Sequence, residues 1–600
     1  MNSLISYQNI FNMKKINILL VVLLTIGLVS CQKQLDLPSD GRITLDQVFS
    51  DYNRTRGYLN SCYGYTPKPY MDRASFSDEA QDAVDITPES KYNMWYAGNV
   101  TSVSFSNYSP DGSPWGKLYE GIRKCNVFLE NIKTATVYAP EQEKAAWTAQ
   151  AHTLRALYYL QLIKRYGGVP IIDKPLVVNN DFSQDKRASF SEVVKFILED
   201  CDKALAIPSN RDGFSWQIFD NQFGIMTRAV AYAIKSQAIT FAASPLWADG
   251  TYTWEQASAI NAEALAECIA NDYKLFDETP AADIAQNAYA LYFFTSSNDQ
   301  RSRDKETIYQ AGDPMEVWRS AGLPTNPGMD KAGPCPSQDL VDSYEMANGE
   351  APITGYADAN KLVPIINATS GYDESDPYAG RDPRFYASIY YNTAVRNLDQ
   401  PNGKRVQTYV GGTEEISNLN PKHTRTGYYL RKFNNYKSGL NNNADGAIRL
   451  FRLAELYLNF AESANQSGGP DAPVTHGNFF MTAREAVNII RARAGMPPFP
   501  VGMTKEAFEA KYRNERRIEL AFEEHRFFDV RRWKILDQTD KAVHGVRITR
   551  AGDTFSYGRF KFPERSSNSE KFLRYPIDQS EVDKMVELTS DNWQNPGWLD

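Results

Sequence analysis

The chain has 600 residues, with 65 Lys plus Arg against 73 Asp plus Glu. The resulting net charge of −8 gives no electrostatic grip on nucleic acid, where basic patches must displace counterions. A hydrophobic fraction of 42% excludes a disordered chain, and the length leaves room for about four domains. Aromatic residues make up 12%, and 35 Tyr outnumber 30 Phe. Such amphipathic rings serve either a ligand or partner surface or a large Tyr-rich core.

Residues 1–30 read as a secretory leader. Lys14 and Lys15 precede an apolar run from Ile16 to Val29, too short to span a membrane, which takes about 20 apolar residues. Because the pattern begins after Asn12, Met13 is an alternative start to Met1. The run ends in Leu28-Val29-Ser30-Cys31, which resembles a bacterial lipobox and makes Cys31 the expected lipidation site. At ~0.8 kcal/mol per buried methylene, two acyl chains already anchor stably. No later stretch is long and apolar enough to span, so the mature chain is expected to be a folded body tethered to a membrane face. Cys62, Cys125, Cys201, Cys268 and Cys335 are odd in number and widely spaced, without a CxxC pair. They are expected to be mostly buried free thiols, not a zinc site or a dense disulfide framework.

The next segment, residues 31–275, reads as helical hairpins. Leu118, Ile122, Cys125, Leu129 and Ile132 step by four and three along one helix face. After Ala139-Pro140, a second helix carries Ala151, Leu154, Tyr158, Leu162 and Tyr166, and Gly167, Gly168 and Pro170 stop it. Two antiparallel helices of this kind are the unit of a TPR-like array with a period of roughly 34 residues. Helical patterns recur at Phe190–Ile207, Ala229–Ala243 and Glu255–Ala270. Residues 276–445 differ in kind: they are rich in Gly, Pro, Asn and Asp, with short aromatic runs, and predict loops with small strands. In residues 446–600 a last helix pair follows, Ile448–Asn465 and Thr482–Ala494, closed by Gly495 and Pro497. The expected fold is mainly α, with TPR-like hairpin repeats split by a loop-rich insert that carries small β elements. Such an insert on a helical scaffold is a common place for recognition.

Catalytic motifs are sparse. His152, His423, His476, His525 and His544 show no HExxH and no other zinc spacing, and there is no GxSxG elbow, P-loop or dinucleotide glycine signature. Glu515, Glu519 and Glu523 at i, i+4 and i+8 would put three carboxylates on one helix face. A glycosidase, however, needs one carboxyl of raised pKa facing another across a cleft. Arg516, Arg517 and Arg526 interleave with these acids, and cations lower carboxylate pKa values. The segment therefore reads as a ladder of ion pairs holding structure, at ~0.2–0.5 kcal/mol per exposed pair, and no cofactor or metal is expected.

That charged segment, Arg513 to Trp533 (RNERRIELAFEEHRFFDVRRW), resembles the C-terminal signature of the SusD/RagB family of Bacteroidetes surface lipoproteins. Tyr378–Tyr391 (YAGRDPRFYASIYY), Thr426–Phe433 (TGYYLRKF), Arg452–Asn465 (RLAELYLNFAESAN), Tyr575-Pro576-Ile577 and Gln594–Trp598 (QNPGW) resemble the family in the same order. The resemblance covers nearly the whole mature chain. It implies an α-helical body with four TPR-like units, tethered to the outer membrane and facing outward. It also implies a role without catalysis, as the lid of a SusC-like TonB-dependent transporter that captures an oligosaccharide or a peptide. The chain departs from the family's usual export signal: Gln32-Lys33-Gln34-Leu35-Asp36 offers a single acid after Cys31.

Glycan-binding members of that family use a shallow platform of loop aromatics. By place in the chain, two stretches fit: Tyr92, Trp95, Tyr96 and Asn99, in a polar setting with no helix period, and Tyr292 with Trp318-Arg319 in the insert. An exposed Trp forgoes roughly 1.5–3 kcal/mol of burial, so each ring wants either a ligand or the protein's own core. Two other classes of function compete: a secreted glycoside hydrolase using the acidic segment, and a TPR-type scaffold that binds only protein.

Overall fold

The computed structural model describes residues 43–177, 180–209, 213–216, 223–281, 285–295, 303–311, 315–396, 405–437 and 444–599. The leader and Cys31 lie outside them. Residues 43–58 with 134–138 form one small unit, in which Thr44 caps the helix Leu45–Phe49 and the Phe49 carbonyl accepts from the Val137 amide. Residues 59–133 with the described part of 139–600 form the other, and everything below concerns it.

Seven helices build its body, with ends where the local chemistry puts them. Helix α1 (Trp115–Asn131) buries Leu118, Ile122, Cys125 and Leu129, as the spacing predicts. Helix α2 (Glu141–Tyr166) starts after Pro140 and stops at Gly167, whose φ of 79° suits a residue without a side chain. At Gly168 a Cβ would come within 2.1 Å of the Ala188 carbonyl oxygen, so that position takes glycine only. Helix α3 (Phe190–Leu205) carries a capping box of Ser189 and Glu192, and α5 (Trp254–Ala270) one of Thr253 and Gln256. Helix α4 (Arg228–Ala242) is buried almost all round, so its alanines allow close approach from both sides.

Each of these helices packs on the next, and α5 then packs on α6 (Leu453–Gly468), which packs on α7 (Ala483–Ala494). The helical array is thus continuous in space across a break of some 180 residues in the chain. Polar side chains pin the seam: Asn261 Nδ2 donates to Ser463 Oγ (3.0 Å) and to the Asn459 carbonyl (3.2 Å).

The interval between α5 and α6 consists of loops and two-stranded antiparallel ladders, as its composition predicts, and also of short helices such as Ala288–Phe294 and Pro383–Ser388, which it does not. Three of the ladders tie it together or to the body: Thr307–Tyr309 pairs with Phe451–Arg452, Pro334–Pro336 with Ala80–Asp82, and Ile389–Tyr390 with Tyr429–Leu430. Cys62, Cys125, Cys201, Cys268 and Cys335 are buried free thiols. No helix among the described residues is long and apolar enough to cross a membrane.

The charged C-terminal segment departs from expectation in two ways. It is not one helix: α8 (Lys505–Glu519) ends, Phe522 and Glu524 take φ of 64° and 69°, and α9 (His525–Arg532) begins. Glu523 therefore lies off the helix that carries Glu515 and Glu519. Nor are its ion pairs exposed. Glu515 accepts from Arg384 (2.5 Å) and Arg491 (2.7 Å), and Glu519 from Arg384 (3.1 Å), Arg452 (2.8 Å) and Arg493. Glu523 accepts from Arg452 (2.7 Å) and Lys432 (2.8 Å). All these side chains are buried. The cations come from the insert (Arg384, Lys432) and from α6, α7 and their edges (Arg452, Arg491, Arg493), so the segment locks insert to helical body. Burial pushes the Glu519 and Glu523 carboxyls up, but the cations outweigh it and hold both below the ordinary 4.5, Glu523 at about 2.

Candidate functional site

The residues expected to form an aromatic platform are placed elsewhere. Tyr92, Trp95 and Tyr96 sit on a short helix, Lys91–Tyr96, capped by Ser90, where no helix was expected. Trp95 is 2% exposed, with Phe76 and Phe572 ring centroids at 5.2 and 5.0 Å. The Tyr96 hydroxyl donates to the Ser75 carbonyl (2.9 Å), and the Arg565 guanidinium covers its ring at 4.1 Å. Tyr292 is fully buried beneath Arg449, whose guanidinium lies 3.9 Å from the ring centre. Trp318 is 8% exposed. These five rings fill the core, where burying a large apolar side chain gains more than exposing it; an open platform made of them is not present. Only Asn99 and Arg319 face solvent, Arg319 held by Asp330 (2.7 Å) and Glu316 (3.3 Å).

Tyr92 nonetheless leads to a cleft. Its hydroxyl donates to Asp72 Oδ2 (2.8 Å), which also receives Lys331 Nζ (3.3 Å) and faces Lys91 Nζ at 3.8 Å. Asp72 and Lys91 line a cavity of about 860 Å³. Its walls come from residues 60–73, from the loop before α1 and the first turn of α1, from the last turns of α2, and from Glu524.

The floor is an ion-pair cluster built from five separate segments of the chain. Asp111 Oδ2 accepts from Arg73 Nη2 (2.8 Å) and from Arg165 Nε (2.7 Å) and Nη2 (2.5 Å), while its Oδ1 accepts the Tyr575 hydroxyl (2.9 Å). Burial pushes the Asp111 carboxyl up, and Arg165 and Arg73 overcome this and hold it well below the usual carboxylate range. Glu524, turned inward by its left-handed backbone, meets Arg73 Nε at 3.1 Å. The floor is therefore charged, neutralised and rigid.

Two buried polar atoms on the cleft wall have no protein partner. Gln161, 3% exposed, gives its Oε1 to Arg165 (2.8 Å) and leaves Nε2 unpaired. Asp72, 7% exposed, leaves Oδ1 unpaired. Such groups cost ~1–3 kcal/mol each unless a ligand or water satisfies them. Half-buried Tyr65 and Tyr70 add ring faces to the same wall. Gln161 Nε2 and Asp72 Oδ1 each have under 1 Å² of accessible surface, so what the cleft presents is its tyrosine rings and its charged lining. No cluster of three or more metal-ligating side chains occurs among the described residues.

Sequence reasoning missed this cleft because its lining comes from separate segments that only the fold brings together. One signal was available: Gln161 and Arg165 stand at i, i+4 beside the apolar stripe of Leu162 and Tyr166, a polar pair where a core helix has no use for one.

Two family models match the chain. The SusD family model matches residues 292–598, and one described as starch-binding, associating with the outer membrane, matches residues 46–218. SusD-like protein P38 of Formosa agariphila is 22% identical over 551 residues, 88% of this chain and 92% of that protein. A solved SusD-like protein from Bacteroides fragilis is 27% identical, with a TM-score of 0.72 over 92% of this chain and 99% of that one. A SusD-like carbohydrate-binding protein of the same species is 20% identical, with a TM-score of 0.65 over 91% of this chain and 99% of that one.

Proposed function

Because the chain belongs to the SusD family, we propose that it is an outer-membrane nutrient-binding protein that holds a glycan in the cleft between Asp72 and Arg165. The observation that carries this reading is a cleft of about 860 Å³ lined by tyrosine rings and by charged side chains. Sugars present apolar C–H faces and a rim of hydroxyls. Tyr65 and Tyr70 suit the faces, and the lining lysines Lys68 and Lys117 can donate to hydroxyl oxygens. The rigid floor keeps the cleft in shape before ligand arrives, which lowers the cost of binding. A relative named for carbohydrate binding supports the same ligand class.

In this reading a lipid on Cys31 tethers the body to the outer membrane, facing outward. A SusC-like TonB-dependent transporter is its partner, and the protein closes over that transporter as a lid. Binding without turnover fits the electrostatics: the carboxylates Glu515, Glu519 and Glu523 are held ionised by cations, which suits ion pairing and not proton donation. Screening the purified protein against soluble polysaccharides by affinity electrophoresis, with co-purification from native membranes, tests the proposal. Retardation by at least one polysaccharide, without release of reducing ends, and recovery of a TonB-dependent barrel are expected. Binding confined to peptides, or hydrolysis of the glycan, would overturn it.

A further inference from the structure

Two of the five buried cysteines are brought face to face. Cys62 precedes Tyr63, which lines the cleft, and Cys125 lies on α1; neither has any exposed surface. The two segments approach most closely at Gly121, where a Cβ would come within 2.9 Å of the Tyr65 Cβ. Cys125 stands one turn further along α1 from Gly121, and Cys62 stands three residues back from Tyr65. Tyr158 of α2 closes the third side. Its ring lies within 2.7 Å of where the Gly121 Cβ would stand, and its hydroxyl donates to the Cys62 carbonyl. Held in this way, the Cys62 and Cys125 thiols share a hydrogen bond. Cys335, by contrast, donates to the Gly333 carbonyl (3.5 Å). Sulfurs already in contact on two close backbones need only side-chain rotation to reach the ~2.05 Å of a disulfide.

We infer that Cys62 and Cys125 are joined as a disulfide in the exported protein, a staple between the two segments that carry Tyr65 and Lys117 on the cleft wall. The loop it closes also holds Tyr70, Asp72 and Asp111. The oxidant is an extracytoplasmic dithiol oxidoreductase in its disulfide form. One of the two cysteine thiolates attacks that disulfide and displaces one of its sulfurs. The second cysteine thiolate then attacks the mixed disulfide at the first cysteine's sulfur and displaces the other. One S–S bond breaks and one forms in the chain, and the two cysteine protons end on the oxidant, which leaves as a dithiol. Because both sulfurs are buried in the folded chain, the exchange precedes final packing. The oxidising location rests on the secretory reading of residues 1–30; the sulfur pair does not.

The test is peptide mapping of the protein recovered from membranes, unfolded in an alkylating agent and digested without reductant. The Cys62 and Cys125 peptides are expected as one species, lighter by two hydrogens than the sum of their thiol forms and split by reductant. The same protein, reduced and unfolded, should form the pair again on refolding with oxidised glutathione. Reductant should lower the wild-type Tm by roughly 2–4 °C and leave that of Cys62→Ala/Cys125→Ala unchanged. Both cysteines alkylated in the membrane protein, or either one linked to Cys201, Cys268 or Cys335, overturn the inference. If alkylated cysteines then stay free with glutathione, the sulfur pair is wrong; if they link, the oxidising location is.

Discussion

Replacing Glu519 by glutamine removes one charge from the most connected carboxylate of the buried network and keeps its shape. Its two oxygens receive Arg384, Arg452 and Arg493, and its side chain is fully buried. Breaking a buried pair by neutralising one partner costs ~3–5 kcal/mol, because the remaining charges stay desolvated. The unfolding entropy scales at about 2.1 cal/mol/K per residue, so a chain of this size has roughly 1.2 kcal/mol/K at its midpoint. The variant should therefore lose roughly 3–4 °C in Tm at pH 7. Differential scanning calorimetry measures this directly, with Glu509→Gln as the control. Glu509 pairs with Arg513 at the surface (2.5 Å, i to i+4), and losing such a pair costs ~0.5 kcal/mol or less. The pH dependence supplies a second reading. Glu519 and Glu523 are held below their ordinary 4.5, Glu523 at about 2. The stability they contribute is fully present above about pH 4.5 and is lost as pH falls through the folded values, so the deficit of Glu519→Gln should shrink on acidification. A loss of under about 1 °C at pH 7, or equal losses for both variants, would refute the claim that this network holds insert and helical body together.

Three more outcomes follow from the structure. Burial and the neighbouring Asp78 push the Glu79 carboxyl up to about 8, so wild-type stability attached to this group is present below about pH 4.5 and lost as pH rises through 8. Glu79→Gln, which keeps the acceptor for the Phe522 amide, should match wild type at pH 4 and exceed it by a few kcal/mol above pH 8 in urea melts. Trp95→Ala should cost ~3–5 kcal/mol of stability, since its ring packs among Phe76, Phe105, Phe527 and Phe572; a fully stable variant would return the ring to the list of ligand contacts. Cys31→Ala should abolish labelling by a palmitate analogue and release the protein from membranes, and labelling that persists would refute the lipid site.

Helix ends were legible because short-range chemistry sets them. Pro140 and Gly167 bound α2, and Thr482 with Glu485 and Gly495 bound α7, as the residue types alone predict. Repetition showed helices on both sides of the insert, but neither the join of α5 to α6 nor its Asn261–Ser463 seam was read from it. The break between α8 and α9 escaped notice because Phe522 and Glu524 adopt left-handed backbone without a glycine to mark it. Trp95 and Tyr292 were misplaced because an amphipathic ring reads alike in a core and on a ligand face. Burial decides between them, and burial here depends on Phe572 and Arg449, hundreds of residues away from Trp95 and Tyr292 respectively in the first case and more than one hundred in the second. The cleft was hidden for the same reason: Asp111, Arg165 and Glu524 meet only after folding.

The most direct test of the central claim is calorimetric titration of wild type, Tyr65→Ala and Lys117→Ala, the latter changed at an exposed lining donor, with whichever polysaccharide retards the protein. Loss of one stacking ring is worth ~0.5–1.5 kcal/mol beyond buried area, and loss of one donor about as much. If the cleft holds the glycan, each variant binds roughly ten-fold more weakly than wild type at an unchanged Tm. Full affinity in both variants would place the glycan outside this cleft and contradict the account.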